Sequence, residues 1–600
     1  MTQDYKIARN LDYLDFLTGW NPQLLREVKG RLQGKNVVIV TAIAILTQFS
    51  IVIAQLASLP DASQDVLHRA SETIYSVKTQ YSRYCTGSQP KYNEVYLCYQ
   101  DLHHHWVINW QLFWFDLFVV FSIIGIASLL ILGTYFLISN IVSEQKKGTL
   151  NLIRLSPQSA TSIIVGKLLG VPVLLYLFIA LGLPLQIISG LQAQIPVSLL
   201  IGFELVIVAS CAFFYSLSLL IGLVTNKSVN ALVFSIALSV FLSLTTILST
   251  KMYLNTVTIL DWSLLFNPNN LLLYVGKTTG IPYHHLHYGY YSFFGNIFHH
   301  GYGINESEPI ALSHILFYGQ ALWSKVGVGI GIIIANSCLW TYWIWQGLKR
   351  RFHNPENTVI NKQQSYWITG SFIAIALGFT FQYTGQNSGY LLVEKFIVLG
   401  LILMVFFIGL TFVLNPQQQS LQDWARYRHQ MNQEGNNLWR ELIFGEKSPS
   451  TMAIAINILI VTLYILPSLI IHPLGKETLP TFYNLILSMG IILCYCAIAQ
   501  LILLSKSNHQ VAIAFGAILS LIILPPLFLS LNGLYPGHAP LAWLFTFVPF
   551  LGIEQATFST IAFAILGQWL VITLVSLQMT RKLRQAGRSQ SSRILDNKIG

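Results

Sequence analysis

The sequence predicts an all-α, polytopic integral membrane protein, and two observations support this prediction. First, the 600 residues are 54% hydrophobic and only 10% charged, with a mean hydropathy of +0.57. Second, the apolar residues are gathered into long runs that polar loops separate. A bilayer core of about 30 Å takes roughly 20 apolar residues as an α-helix, and the chain supplies about 12 such runs. The expected architecture is two tandem halves of six membrane spans each.

The first half opens with a basic, amphipathic segment at residues 21–35, which is typical of a helix lying at the membrane interface. Its charged side chains include Arg26, Glu27 and Arg31. The run that begins at Trp106 is too long for one straight crossing, so its aromatic start is expected at or beyond the interface. The predicted spans of this half are 37–59, 106–141, 163–191, 195–224, 231–248 and 326–345, with long external loops at 60–105 and 250–323.

The second half repeats this order with shorter loops. Ser448-Pro449 lies just before its third span, as Ser156-Pro157 does in the first half. Internal repeats of this kind are common in transporters, so we predict two tandem six-span units. The units cover residues 1–365 and 366–600, and the spans of the second are 366–381, 396–414, 453–471, 482–504, 511–531 and 561–577, with a cytoplasmic loop at 415–450 and a basic tail at 580–600.

The distribution of positive charge predicts the orientation. Of the 35 Lys and Arg residues, 26 lie in the termini and the loops of one side, and 9 lie on the other side. Because cytoplasmic loops carry an excess of Lys and Arg, both termini are expected in the cytoplasm. The net charge of +11 therefore reflects topology and not nucleic-acid binding. We expect a bacterial inner-membrane protein in contact with lipid.

The loop at 142–161, between the second and third spans, is short and basic. Gly148 permits a turn, and Thr149 is expected to cap the helix that follows. Pro157 cannot continue that helix, and Ser159 can cap the next one. The pattern predicts a short helix at the membrane surface.

This short helix is partly amphipathic. Leu150 with Ile153, and Leu152 with Leu155, stand at the i, i+3 spacing of a helix face. No other part of the chain is evidently available to cover the resulting apolar stripe. A surface helix of this kind needs a partner.

No complete nucleotide site or catalytic motif is present. A phosphate-binding loop needs G-x-x-x-x-G-K-[ST], and the nearest fragment, Gly276-Lys277-Thr278, has Leu271 where the first glycine should be. Neither G-x-S-x-G nor H-E-x-x-H occurs. We predict no catalytic residue and no bound cofactor.

Histidines are clustered in the loops that we place outside. Such a set could bind zinc, but no helical i, i+4 pair with a catalytic Glu appears. The favoured alternative is an aromatic, glycine-rich cap at the interface, and we predict no metal site. These histidines are His103, His104, His105, His284, His285, His287, His299, His300 and His314.

Cys85 and Cys98 lie thirteen positions apart in a polar loop. They are expected to form a disulfide if that loop faces an oxidising compartment, and the alternative is two free thiols. The other cysteines lie in apolar runs and are expected to be packing residues; they are Cys211, Cys338, Cys494 and Cys496.

Three carboxyl groups interrupt apolar sequence, namely Asp116, Glu204 and Glu554. An ionised group at the bilayer centre costs about 2.5–3.5 kcal/mol on insertion scales, so such residues usually face a bundle interior or a wet path. Glu204 lies deepest and is the candidate pathway residue, with a hydrogen-bonded structural carboxyl as the alternative. Asp116 and Glu554 fit interfacial positions.

The 144–170 stretch resembles the cytoplasmic signature of the type-2 family of ABC exporter permeases. That signature has an acidic-basic pair, Gly-Thr, an apolar helix, a Ser/Thr-Pro break and a Gly-Lys entering the next helix. The amphipathic entry segment, the six-span order and the partly inserted segments before each last span, at 267–275 and 541–554, fit the family too. The matching residues are Glu144, Lys147, Gly148, Thr149, Leu152, Pro157, Gly166 and Lys167.

The resemblance implies that the 142–161 loop holds a coupling helix that docks on a separate ABC ATPase subunit, with the entry helix packed beside it. Leu150, Ile153 and Leu155 join the ATPase-coupling residues on this basis. The loop of the second half has no Gly-Thr, so its ATPase contact is expected to be altered or weaker. Its candidate residues are Arg440, Glu441, Glu446, Lys447, Ser448 and Pro449.

The function expected from the resemblance is that of a permease subunit of an ATP-driven exporter, with two copies of a partner ATPase and no hydrolytic chemistry of its own. Self-association of the permease is a further expectation, and the substrate is not readable from the sequence. An ion-coupled secondary transporter that uses Glu204 is one alternative, and an intramembrane enzyme or assembly scaffold is another.

Overall fold

The computed structural model describes most of the chain between residues 21 and 587. The residues in that range that it does not describe are 61–67, 71–72, 76–80, 83, 87–95, 99–105, 226–228, 251–258, 280–314, 382–387, 431–437, 472–475, 477 and 506–508. The nine loop histidines considered above as zinc ligands and the end of the basic tail lie outside the described residues.

The chain divides into two compact units. The first comprises Met1–Asn255, Ser263–Ile315 and Ala321–Trp345, and the second comprises Thr256–Trp262, Leu316–Gln320 and Gln346–Gly600. The division falls inside a long helix at residue 345, and not at residue 365 after the linker. Each unit is described by itself.

The first unit is built of helices with small two-stranded sheets in its loops. The helices are α1 (Pro22–Arg31), α2 (Gly34–Ala57), α3 (Trp110–Ala127), a π-helical turn (Ser128–Leu132), α4 (Gly133–Lys146), α5 (Thr149–Arg154), α6 (Ala160–Gly170), α7 (Val173–Gln192), α8 (Val197–Val224), α9 (Val229–Thr250), α10 (Asp261–Leu264), α11 (Asn270–Thr278) and α12 (Val326–His353). Two parts of these helices belong to the second unit, namely Asp261 and Trp262 of α10 and the end of α12 from Gln346 onward.

The loop after α2 carries two antiparallel pairs, β1 (His68–Ala70) with β2 (Thr73–Tyr75), and β3 (Tyr81–Ser82) with β4 (Tyr96–Leu97). A third pair, β5 (Leu316–Phe317) with β6 (Gln320–Ala321), precedes α12.

The second span is one helical run from Trp110 to Lys146 that includes the π-helical turn. The predicted start at Trp106 is wrong by one helical turn, because the chain from Trp106 to Asn109 is not helical. Asn109 caps the run, and its side chain accepts from the amide of Leu112 at 3.1 Å.

The third predicted span, 163–191, is not one helix. It is broken between Gly170 and Val173 into α6 and α7. Pro172 causes the break, since it lacks an amide proton and its ring clashes with the preceding turn. Only α7 is long and apolar enough to cross a membrane, whereas α6 is a separate short helix.

The second unit is also built of helices. Its helices are α13 (Lys362–Thr380), α14 (Ser388–Val413), α15 (Gln418–Gln430), α16 (Leu438–Phe444), α17 (Thr451–Ile471), α18 (Thr478–Leu503), α19 (Gln510–Leu531), α20 (Pro540–Trp543), α21 (Phe550–Ile553) and α22 (Phe558–Gly587). The predicted 415–450 loop therefore contains two helices, α15 and α16. The short helices α20 and α21 hold the place before the last span that α10 and α11 hold in the first unit.

Eleven helices among the described residues are long and apolar enough to span a membrane. The chain is therefore an all-α, polytopic membrane protein, as predicted. The remaining predicted span, 366–381, corresponds to α13, which is helical but falls outside those eleven, because its first turn is polar (Lys362, Gln363, Gln364).

Candidate functional site

The loop that carries the family-like signature folds as a tight turn followed by the short helix α5. Gly148 has a φ of +72°, in the left-handed region that an L side chain rarely adopts. The hydroxyl of Thr149 donates to the carbonyl of Glu144 at 3.3 Å. The expectation that Thr149 caps α5 is therefore wrong: its hydroxyl bonds to the end of α4, and α5 has no side-chain cap.

The two apolar pairs of α5 lie in different environments. Leu150 and Ile153 are 1% and 8% exposed, whereas Leu152 and Leu155 are 69% and 83% exposed. The expectation that the chain cannot cover the apolar stripe is thus wrong for the first pair. It describes the second pair correctly, and these two leucines form an exposed apolar edge on an otherwise packed helix.

The segment after α5 leads through a short turn into α6. The hydroxyl of Ser156 donates to the carbonyl of Ile153 at 2.7 Å. Pro157 lies outside α5 and is exposed. Ser159 caps α6, since its hydroxyl oxygen accepts from the amide of Ser162 at 3.1 Å.

A buried ion cluster lies beside this loop and is centred on Lys167. The Lys167 amine is 1% exposed and lies 2.7 Å from the carboxylate of Glu144 and 3.2 Å from that of Glu27. It also donates to Asn140 Oδ1 at 3.1 Å. One cation thus joins three helices: α1 through Glu27, α4 through Glu144 and Asn140, and its own helix α6.

The entry helix α1 is part of the same cluster. Asn21 caps it and accepts from the amide of Leu24 at 3.0 Å, while its side-chain amide donates to the carbonyl of Ser162 in α6 at 2.7 Å. Gln23 donates to Glu27 Oε1 at 3.0 Å, and the guanidinium of Arg31 lies 3.5 Å from the same carboxylate.

Two glycines of α6 allow α1 to approach closely. A Cβ at Gly166 would lie 2.8 Å from the backbone nitrogen of Leu24, and one at Gly170 would lie 2.5 Å from Cβ of Glu27. These glycines stand one helical turn apart on a single face. Gly166 and Lys167 therefore hold the entry helix and offer no surface to a partner, whereas Arg26 and Lys147 are exposed.

The second unit has a short helix at the corresponding place, α16. It contains no buried residue, and Leu438, Trp439 and Phe444 are exposed, Trp439 at 67%. Arg440 and Lys447 are exposed as well, whereas Ser448 and Pro449 are buried.

Two ion pairs hold α16 and the turn that follows it. Arg350 forms a bidentate pair with Glu446, with nitrogen–oxygen distances of 3.0 and 2.8 Å. Glu441 lies 2.9 Å from the guanidinium of Arg428 and accepts from the indole of Trp424 at 3.0 Å. Arg428 and Trp424 belong to α15, so α15 supports α16.

Lys362, at the start of α13, is a buried lysine of the second unit, and its acceptors among the described residues are all neutral. Its amine donates to Ser448 Oγ at 2.6 Å and to the carbonyls of Leu442 and Pro449 at 2.7 and 2.9 Å. The residue precedes the predicted span 366–381, and burial lowers the pKa of its amine to about 7.

Among the intramembrane carboxyl groups, Glu204 in α8 is half-buried and accepts from the amide of Gln186 at 3.2 Å. Gln186 also donates to Ser122 at 3.0 Å, so three spans share this polar contact. Asp116 is buried and accepts from the hydroxyl of Tyr84 at 2.9 Å. Glu554 is exposed.

The structure joins Cys85 and Cys98 by a disulfide. The other described cysteines are free, and Cys338 is exposed, which differs from its expected packing role, whereas Cys494 and Cys496 are buried and Cys211 is half-buried. Within the described ranges, no group of three or more potential ligands could hold a metal ion. Gly276 and Thr278 of the incomplete phosphate-loop fragment lie in α11, so this fragment is helical.

Residues 24–274 match the model of the ABC-2 family transporter proteins. Over these residues the chain is similar to the ABC-2 family transporter proteins. The match begins in α1, includes Glu27, Glu144, Lys167 and α5, and ends within α11. This similarity supports a membrane permease of an ABC transporter. Neither the curated proteins nor the solved structures gave a match.

Proposed function

We propose that this protein is the permease subunit of an ABC exporter, and that it moves its substrate with ATP hydrolysed by separate ATPase subunits. The observation that carries the proposal is the exposed pair Leu152 and Leu155 on α5. The ABC-2 match over residues 24–274 supports the class of transporter. Beyond this class of transporter, α5 is proposed to dock on the ATPase subunit.

The construction of α5 favours docking over a simple connecting loop. Leu150 and Ile153 bury one side of the helix against the chain, so the helix has a defined orientation. The opposite side then presents Leu152 and Leu155 to a partner. Buried apolar contacts at the centre of an interface supply most of its binding energy, and these leucines are in position to do so.

The Lys167 cluster provides the path by which movement of a docked ATPase would reach the membrane helices. Glu144 ends α4 just before the α5 turn, and Lys167 ties it to α6 and α1. Because buried ion pairs with close geometry resist separation, a push on α5 would move these three helices together.

The disulfide supports a cytoplasmic location for α5. Cys85 and Cys98 lie at the Trp110 end of the second span, where Asn109 donates its amide to the carbonyl of Tyr84 at 2.7 Å. Helix α5 follows the Lys146 end of the same run. Disulfides persist in oxidising compartments, so the opposite end, with α5, would face the cytoplasm of a bacterial inner-membrane protein, and both termini would lie on that side.

Helix α16 is proposed as a second docking surface, for a second copy of the ATPase. Its exposed side chains are aromatic and leucine, and Arg440 and Lys447 lie beside them. Its chemistry differs from that of α5, which fits an altered contact.

The test is to purify the tagged protein from native membranes and to identify the co-purifying ABC ATPase by mass spectrometry. The double variant Leu152→Asp/Leu155→Asp should lose most of this ATPase and of the ATP hydrolysis that accompanies the preparation, because two charges would replace the apolar edge. Leu152→Met/Leu155→Met is the matched control and should retain both. Point variants are preferable to deletion of the helix, because Leu150 and Ile153 are packed. Equal recovery of ATPase with the Asp and Met variants would refute docking at α5.

A further inference from the structure

A cavity lies within the second unit, away from the ion clusters and the exposed helices. It lies among α14, α17, α18 and residues 547–550 at the start of α21, and it is partly open to the outside. Its position near the start of α18 and the end of α17 places it at one surface of the membrane.

The lining is apolar except along one face of α18. Phe396, Met404 and Phe550 are among the apolar lining residues. The polar lining residues are Thr481, Asn484 and Ser488, spaced three and four residues apart on one side of the helix. Among the described residues that line the cavity there is no Lys, Arg, Asp, Glu or His.

One polar group of this row is available to a ligand. Asn484 Oδ1 accepts from the hydroxyl of Ser488 at 3.3 Å. Among the residues that the structure describes, none accepts a hydrogen bond from the Asn484 side-chain nitrogen. An amide nitrogen carries two donors, so this group can donate to an acceptor that enters the cavity.

We infer that the cavity is a binding site for the ester-linked acyl chain of a membrane lipid. The apolar walls take the hydrocarbon chain, and the Asn484 amide donates to the ester carbonyl. The site goes beyond the proposed transport function and does not depend on ATPase docking.

An empty cavity, water and a charged ligand are each unfavourable here. Apolar walls that face empty space lose their dispersion contacts. A water molecule needs two to four polar partners to remain in a cavity, and this lining offers polar groups only along one face. A charged ligand would find no counter-charge, and burial of an unpaired charge is costly. A lipid supplies both required parts, since its ester groups lie near the membrane surface and its chains run inward.

Gly400 and Gly409, both in α14, provide a matched pair of variants. A Cβ at either position meets no atom within 4 Å, but only Gly400 lines the cavity. Gly400→Phe should therefore take up part of the cavity, whereas Gly409→Phe adds the same side chain at a position that does not line it.

The probe is a phosphatidylethanolamine with a diazirine at the end of one acyl chain, photolysed with the full-length protein in nanodiscs. Labelling of cavity-lining peptides should fall roughly tenfold in Gly400→Phe, because loss of room for two methylenes weakens binding by about that factor, and should be unchanged in Gly409→Phe. Asn484→Leu should also reduce labelling. Unchanged labelling in Gly400→Phe, or labelling only of peptides outside the lining, would overturn the inference.

A second probe, a diazirine-bearing free fatty acid, separates the ester from the chain. We expect Asn484→Leu to reduce labelling by the phosphatidylethanolamine probe and to leave labelling by the fatty-acid probe unchanged. Fatty-acid labelling alone would overturn the lipid assignment. ATPase co-purification with Gly400→Phe should equal that of the unaltered protein, so a failure of this site is distinguishable from a failure of docking.

Discussion

At the residue scale, Lys167 and Lys362 are two of the lysines buried in the described part of the chain, and their surroundings differ. Lys167 is compensated by the carboxylates of Glu27 and Glu144. Lys362 donates to two carbonyls and a hydroxyl, and within the part of the chain that the structure describes no carboxylate accepts from it. A paired charge tolerates burial, whereas a charge with neutral partners retains part of the cost of leaving water. Lys167 should therefore act mainly by holding helices together, and Lys362 should act as a titrating group.

Replacement of Lys167 by Met should strongly destabilise the first unit. The variant leaves Glu27 and Glu144 buried beside each other without their cation, and breaking a buried pair in this way costs about 3–5 kcal/mol. Thermal unfolding of the purified protein in detergent measures the effect. Lys147→Met is the control, because Lys147 is exposed and its loss should change little. Adding Glu144→Gln to Lys167→Met should restore part of the stability. Equal melting temperatures for Lys167→Met and Lys147→Met would contradict a stabilising role of Lys167.

Lys362 should make stability depend on pH. Burial lowers the pKa of its amine to about 7, while an unfolded lysine titrates near 10.4. Between these values the unfolded state binds more protons, so the free energy of unfolding should rise with pH, by up to about 1.4 kcal/mol per unit. Unfolding measured at pH 7, 8 and 9 should show this slope in the unaltered protein and in the exposed-site control Lys447→Met, and should lose it in Lys362→Met. Parallel curves for all three proteins would show that Lys362 does not titrate in this range.

At the element scale, the sequence predicted the position and type of α5 but not its packing. The spacing of Leu150 with Ile153 is the same as that of Leu152 with Leu155, so periodicity alone cannot say which pair is covered. The answer depends on which side of the helix meets the rest of the unit, and residues distant in sequence determine that. Pro172 is a sequence signal for a helix break, since proline interrupts helices. A single span was predicted because the apolar run is continuous across this position.

Packing of α1 on α6 was also beyond the sequence pattern. Gly166 and Lys167 were attributed to ATPase coupling through the family resemblance, and the structure places both against or beside α1. The available signal was the pair of glycines four residues apart, Gly166 and Gly170, since small residues on one helix face allow close approach of another helix.

Gly170→Ala should therefore loosen the entry helix. The added Cβ would lie 2.5 Å from Cβ of Glu27, and overpacking of this kind typically costs about 1–3 kcal/mol. Hydrogen exchange of the amides in Pro22–Arg31 should become faster in this variant. Gly182→Ala in α7 serves as the control, because its Cβ meets nothing within 4 Å. If α1 exchanges at the same rate in both variants, the close approach does not hold it in place.

At the scale of the whole molecule, the order of elements repeats from one unit to the next. In each unit a short exposed helix precedes a Ser-Pro pair, and two short helices precede the last span. Hydropathy predicted this order well, because long apolar runs define spans. The entry helix has no counterpart in the corresponding position of the second unit among the described residues, and side-chain contacts such as Arg350 with Glu446 could not be read from a weak repeat.

This repeated order leads to a prediction about stoichiometry. If α5 and α16 each dock an ATPase, one permease chain should carry two ATPase subunits, and native mass spectrometry of the purified complex should find that ratio. Leu152→Asp/Leu155→Asp should leave one ATPase bound through α16, and Trp439→Asp/Phe444→Asp should leave one bound through α5, since each change places charge on only one exposed surface. The four-site variant should bind none, while methionine at the same four positions should preserve the complex. A complex of two permease chains with two ATPases, unaffected by the α16 changes, would instead assign docking to α5 alone and make self-association of the permease necessary.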